Sequence, residues 1–272
     1  MSLITITSGI GCNEMEIALR VADALKTDLY DDERLQKEFM DMGLSSAEMK
    51  SLDEKAPGIF NRLLDFHPQS YLELLEALIY EVSRRGEGII IGHGAQFLLR
   101  DFGCALHIRI YSSTDRRIES IGNTHGVSPG AAEKMVRSSD NDRKGFMHYA
   151  FKMDWDNPSL YDLVVNVDKL GVEASSSLIT NVAQSDIINA CSLDALERME
   201  RFTLEKKVKT AVLKTSLSAR NIHVDSPEPG SVVLTGTVNP LESKDALLDA
   251  VRAVPGVVNL KDELAMEKLH DI

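Results

Sequence analysis

Ile4-Thr5-Ile6-Thr7-Ser8-Gly9-Ile10-Gly11-Cys12-Asn13-Glu14-Met15-Glu16-Ile17 is the stretch on which the fold turns. A β-branched run leads into a glycine-containing turn, after which Ile17, Ala18, Val21, Ala22 and Leu25 recur at helical spacing. Strand, glycine turn and helix N-terminus make an anion cradle, because backbone N–H groups and the helix dipole converge on one spot. A full phosphate-binding loop, G-x-x-x-x-G-K-[ST], adds a lysine for the phosphates and a hydroxyl for magnesium. Here Glu14 falls where that lysine would stand, and Glu16 adds a second negative charge.

Working outward, apolar β-rich runs alternate with helical patterns through the first two-thirds of the chain. Strands are expected over 3–7, 28–30, 88–92, 105–111 and 163–167, and helices over 14–26, 32–42, 68–85, 114–122, 129–139 and 172–183. The run Gly88-Ile89-Ile90-Ile91-Gly92 is continuously apolar, as suits a parallel strand covered on both faces. Such alternation predicts an α/β domain with a mostly parallel sheet. The tail changes pattern to a helix through Leu204, Val208, Ala211, Val212 and Thr215, strands over 221–225 and 231–238, a helix over 241–254 and a strand over 257–260. That α-β-β-α-β order predicts a small α+β domain. The expected division is 1–186, a helical linker over 187–203, and 204–272.

At 272 residues and 43% hydrophobic content, the chain can build one large core and one small one. A net charge of −12 and a pI near 5.1 argue against a general nucleic-acid or anionic-membrane surface. No apolar run approaches membrane-spanning length, so no membrane insertion is expected. Cys12, Cys104 and Cys191 are widely spaced, with no C-x-x-C and no histidine pair at zinc spacing. This fits a reducing, cytoplasmic setting and predicts no structural metal site.

The segments 7–17 and Tyr30-Asp31 set a pattern that continues in Ile89-Ile90-Ile91-Gly92-His93-Gly94-Ala95-Gln96 and Leu98-Leu99-Arg100-Asp101. It runs on through Ile110-Tyr111 to Arg117, Ser139-Asp140-Asn141-Asp142-Arg143, Asp154-Trp155-Asp156-Asn157-Pro158 and Tyr161 to Asn166. In that order, over roughly residues 3–183, the chain resembles the cytidylate kinase-like family of nucleoside-monophosphate kinases. The resemblance implies a P-loop kinase-like fold: a five-stranded parallel sheet flanked by helices. If the chain is active, it also implies ATP with magnesium as cofactor and CMP or a similar acceptor. The tail, with Gly230, Gly236 and Val254-Pro255-Gly256-Val257-Val258-Asn259-Leu260, resembles a BON domain, a small bacterial module that implies a phospholipid or other ligand.

The resemblance carries roles to particular residues. Ser8, Gly9, Gly11, Cys12, Asn13 and Glu14 would form the nucleotide loop, with Gly92, His93 and Gln96 on the pocket floor. Arg117 would be the lid arginine, Arg143 would stabilise the transferring phosphate, and Asp140 would meet the acceptor sugar. Three departures all remove positive charge: Glu14 in the loop, His93 where the family has an arginine for the acceptor phosphate, and Ser120 at the next lid arginine. Histidine is only partly charged near neutrality and lacks the guanidinium fork. A carboxylate about 4 Å from a phosphate oxygen costs roughly 4 kcal/mol at an effective dielectric near 20.

Each position also has a purely architectural reading. Asn13 would cap the first helix while Glu14 and Glu16 answer its dipole. Cys12 lies at a helix N-terminus, which lowers a thiol pKa, but its glutamate neighbours oppose that. His93 would be a satisfied polar residue at a strand end, and Trp155, the one tryptophan, a packing anchor. The 39–49 stretch, with Met40 and Met42, would fill a core or adapt to a partner. Two functions follow: a catalytically impaired module that binds a nucleotide or other small phosphorylated ligand and regulates, or an active nucleoside-monophosphate kinase. The BON-like domain's partner and the oligomeric state are left open.

Overall fold

The computed structural model describes residues 3–41, 68–189, 193–215, 221–239 and 244–266. The 42–49 part of the methionine-containing stretch lies outside these residues. The chain forms two compact units, one of residues 1–71 and 85–192, the other of residues 72–84 and 193–272.

In the first unit the elements run β1 (Leu3–Ser8), α1 (Glu14–Leu25), β2 (Leu29–Tyr30), α2 (Asp32–Asp41), β3 (Gly88–Ile91), α4 (Ala95–Leu98), β4 (Ala105–Tyr111), α5 (Thr114–His125), α6 (Pro129–Phe151), β5 (Leu163–Asn166), α7 (Val167–Ala183) and α8 (Asp186–Asn189). Helix α3 (Pro68–Ser83) lies between α2 and β3 in sequence and contributes residues 72–83 to the second unit. The five strands are all parallel, in the order β2-β3-β1-β4-β5. β1 sits at the centre with every residue buried, which explains its unbroken run of Ile, Thr and Leu.

The two faces of this sheet differ in chemistry. Ile4, Ile6, Ile89, Ile91, Ile108, Ile110 and Val165 point one way and pack on Ile17, Ala18, Val21 and Ala22 of α1 and Ile179 and Ala183 of α7. On the opposite pleat, registers Thr5↔His107 and Thr7↔Arg109 line up a row of polar side chains. Thr5 Oγ1 lies 2.8 Å from His107 Nδ1, and Thr7 Oγ1 donates to Gln96 Oε1 at 3.0 Å. Burial pushes the His107 pKa down, so its imidazole is held neutral.

Two helices differ from their expected spans. α6 was expected to stop at residue 139, where Ser138-Ser139-Asp140-Asn141-Asp142 has poor helix propensity, yet it runs to Phe151. Burial of Arg143, Phe146 and Met147 outweighs that weakness. α7 starts at Val167 and kinks at Gly171 (φ 67°, ψ −178°), one residue before the expected start.

The second unit contains α9 (Leu193–Thr215), β6 (Ile222–Asp225), β7 (Ser231–Val238), α10 (Lys244–Arg252) and β8 (Asn259–Met266). β6 and β7 are antiparallel and β7 and β8 parallel, which gives the expected α-β-β-α-β fold. Leu204, Val208 and Val212 of α9 share a core with Val232, Leu234, Leu247 and Val251. The same unit takes in residues 72–84. Glu73 of α3 pairs with Lys206 (3.3 Å) and Lys209 (2.5 Å), Glu76 pairs with Lys206, and Glu81 with Lys207 (2.7 Å).

Candidate phosphate-loop site

The loop after β1 lies at the carboxyl end of the central strand, where parallel α/β sheets place their ligands. Ser8 ends β1, Gly9 to Asn13 turn, and α1 begins at Glu14. Asn13 occupies the N-cap position with φ 57°, a left-handed conformation that asparagine tolerates better than most residues. Its side chain makes no capping hydrogen bond, contrary to the expectation that Asn13 caps α1. It accepts instead from Ser120 Oγ at 3.5 Å.

Arg117 is the loop's main neighbour. Its Nε donates to the Ile10 carbonyl at 2.7 Å, and its two terminal nitrogens donate to Asp140 at 2.9 and 2.7 Å. A Cβ on Gly9 would meet the guanidinium at 2.5 Å, and one on Gly11 would meet the Arg117 carbonyl oxygen at 2.8 Å. Gly11 also has φ +84°, so both glycines are explained by what passes over them. Ile10 packs on Ile121, Ala132 and Val136, which ties the loop to α5 and α6.

Two cavities flank the loop. One of about 410 Å³ is bounded by Gly11, Asn13, Arg116, Ser120, Val167 and Asp168 among others. Asp168 there accepts from Ser112 Oγ at 2.6 Å and from the Ser113 amide at 3.1 Å. The Ser112 and Ser113 bonds hold its carboxyl below the usual range. The other cavity, about 320 Å³, is bounded by Gly9, Cys12, Arg109, Arg117, Asp140, Lys144, Trp155 and Asp156 among others.

Cys12 is buried, and burial pushes its thiol up to about 11 despite the nearby Arg117. A neutral thiol of this kind packs rather than reacts. Cys12 is the free cysteine among the described residues, whereas Cys104 is held in a disulfide, which departs from the reducing setting expected from the cysteine spacing.

The remaining expected residues form a second group. Gly92, His93 and Gln96 sit together after β3, and the Gly92 amide donates to the Ile6 carbonyl at 2.9 Å. His93 is 4% exposed, has φ 55°, and its Nε2 lies 2.8 Å from Asp32 Oδ1. None of the three borders either cavity. Gln96 reaches the loop indirectly, through Thr7.

Arg143 is buried beside Trp155, with its guanidinium carbon 5.2 Å from the ring centre. Arg109 lies at 4.6 Å from the same ring, donates to the Trp155 carbonyl at 2.9 Å and pairs with Asp156. Tyr161 Oη also donates to the Trp155 carbonyl, at 2.7 Å. The tryptophan is thus a packing anchor, as expected, and its neighbours are two guanidinium groups. Arg109 and Lys144 were missed from the sequence. The signal for Arg109 was present: His107 and Arg109 alternate with isoleucines inside a central strand, and a buried strand admits charge only for a reason. Lys144, on the outer side of a long helix, gave none.

The parallel sheet, its strand order and the glycine loop between β1 and α1 define a P-loop kinase-like α/β protein fused to a small α+β domain. Residues 3–169 match the cytidylate kinase-like family, to which the chain therefore belongs, and residues 201–268 match the BON domain. A comparison with curated protein sequences gives no match. Among solved structures, an uncharacterized protein from Eubacterium ventriosum superposes with a TM-score of 0.51 at 18% identity, over 68% of this chain and 99% of that one. Shikimate kinase from Bacteroides thetaiotaomicron gives a TM-score of 0.43 at 13% identity, over 68% and 99%. Shikimate kinase from Acinetobacter baumannii gives 0.39 at 10%, over 71% and 96%. Among the described residues no helix is long and apolar enough to cross a membrane.

Proposed function

We propose that the chain binds a nucleotide or another small phosphorylated ligand at the Ser8–Glu14 loop, and that its phosphoryl transfer is impaired, so that it acts as a ligand-responsive module coupled to its BON domain. The observation that carries this reading is His93. It stands where the family resemblance calls for an arginine on the acceptor phosphate, yet it is buried against Asp32 at 2.8 Å. A histidine so engaged offers no fork to a phosphate.

The loop itself suits phosphate. The α1 N-terminus lacks a side-chain cap at Asn13, and Arg117 and Lys144 bring positive charge beside Gly9 and Cys12. Magnesium is less well provided for: Met15 follows Glu14 where a full phosphate loop supplies a hydroxyl. Among the described residues, no group of three or more His, Cys, Asp or Glu could hold a metal ion.

A second reading, an active kinase that moves the γ-phosphoryl group of ATP to CMP, is favoured by the gathering of Arg109, Arg117 and Arg143 around the loop and Trp155. Arg117 and Arg143 would then stabilise charge and Asp140 would orient the acceptor. Calorimetric titration of ATP, CMP and dCMP with magnesium, on the parent and on Glu14→Lys, separates the two when paired with an assay for CDP. Weak ATP binding by the parent, a gain in Glu14→Lys and no CDP are expected. Steady CDP formation by the parent would overturn the impaired reading.

A further inference from the structure

We infer that Asp140 is an internal counter-anion that holds Arg117 over the phosphate loop and must release it when a phosphate group binds. This rests on the phosphorylated-ligand reading above, and it gives Asp140 a role other than contact with an acceptor sugar.

Three observations converge. The carboxylate engages both terminal nitrogens of Arg117 at 2.9 and 2.7 Å, the same two-point contact that a phosphate group makes with a guanidinium. The guanidinium lies against Gly9, in the loop where a phosphate would sit, and its Nε is anchored on Ile10. The Arg117 side chain is only 9% exposed, so losing its carboxylate without a replacement would leave a poorly solvated charge, and exchange of one oxyanion for another is the favourable route.

Charge around the smaller cavity points the same way. Arg117 is neutralised by Asp140 and Arg109 by Asp156. Lys144 is left as the one cation of that lining with no ion pair among the described residues. A phosphate entering while Asp140 stays in place meets a carboxylate as well as the arginine. Its affinity is therefore the difference between two competing oxyanions. Arg116 does not substitute, because it is exposed and paired with Glu119 at 3.2 Å.

The test uses the full chain and inorganic pyrophosphate as probe, titrated calorimetrically against the parent, Asp140→Asn, Asp140→Ser, Arg117→Met and the Asp140→Asn/Arg117→Met double variant. Asp140→Asn keeps a carbonyl to orient Arg117 and should tighten pyrophosphate about tenfold, with Asp140→Ser as a second route should the first fold poorly. In the Arg117→Met background the gain from the Asp140 substitution should shrink to the small part that comes from removing a like charge beside the phosphate. Asp140→Glu should return affinity towards the parent, which a merely loosened structure would not do. Pyrophosphate that binds the parent and binds Asp140→Asn no better would overturn this inference while leaving the phosphate-ligand reading intact. Absence of binding in every variant would overturn both.

Discussion

Arg117 crosses Gly9 so closely that a methyl group on the glycine would lie 2.5 Å from a guanidinium nitrogen. The loop's glycine is thus matched to a side chain of α5. Gly9→Ala should push the guanidinium off Ile10 and Asp140 and cost about 1–3 kcal/mol. Urea unfolding checks this, and the cost should shrink to a few tenths in an Arg117→Ala background. An equal cost in both backgrounds would mean that the glycine serves something else.

Glu14 sits half-buried at the head of α1, and its charge acts on both Cys12 and Arg117. Removing that charge should favour an incoming phosphate. Partial exposure reduces the roughly 4 kcal/mol expected at 4 Å, so Glu14→Gln should tighten ATP by about tenfold. Isothermal titration at two salt concentrations provides the measurement, with the gain smaller at high salt.

Cys12 gives a pH signature. Its thiol is pushed from 9.0 up to about 11, burial being the first cause, so the folded state favours the neutral thiol while the unfolded chain ionises earlier. The contribution to stability is complete below about pH 9 and is lost as the pH rises towards 11, about 2–3 kcal/mol in all. Denaturant unfolding at pH 8, 9.5 and 10.5 should show the parent losing more than Cys12→Ala. Parallel losses would refute the assignment.

Lys206 joins α9 to two carboxylates of α3, Glu73 and Glu76. Glu73 is 9% exposed, so Lys206→Met leaves a buried carboxylate with Lys209 as its remaining cation. A loss of about 2–4 kcal/mol is expected, seen as a lowered thermal midpoint. Lys206→Arg should recover most of it.

Much of the first unit could be read directly from its residues. β4 spans the expected residues, and β1, β3 and β5 lie within a residue of theirs: β3 is continuously apolar and buried, while β1 and β4 keep their isoleucines on one pleat and polar residues on the other. Motif order pointed to the loop and to Arg117, and the structure sets the two against each other. What could not be read was partnership. Asp140 was assigned to an acceptor sugar through resemblance, and only the long α6, stabilised by burial of Phe146 and Met147, brings it onto Arg117. Asn13 was expected to cap its helix, but its φ of 57° turns the side chain towards Ser120.

The sequence by itself determined the two folds, their order and the place of the glycine loop between β1 and α1, since hydrophobic period and turn chemistry are local properties. Tertiary structure decided how the charges of the site are paired. Whether Arg117, Arg109 and His93 face a ligand or an internal carboxylate depends on Asp140, Asp156 and Asp32, which lie 23 to 61 residues away in sequence. Tertiary structure also placed residues 72–84, within the span of the kinase-like family, in the same compact unit as the BON domain. An ion pair depends on distance in space and carries no period along the chain, so its partner became visible only once the chain was folded.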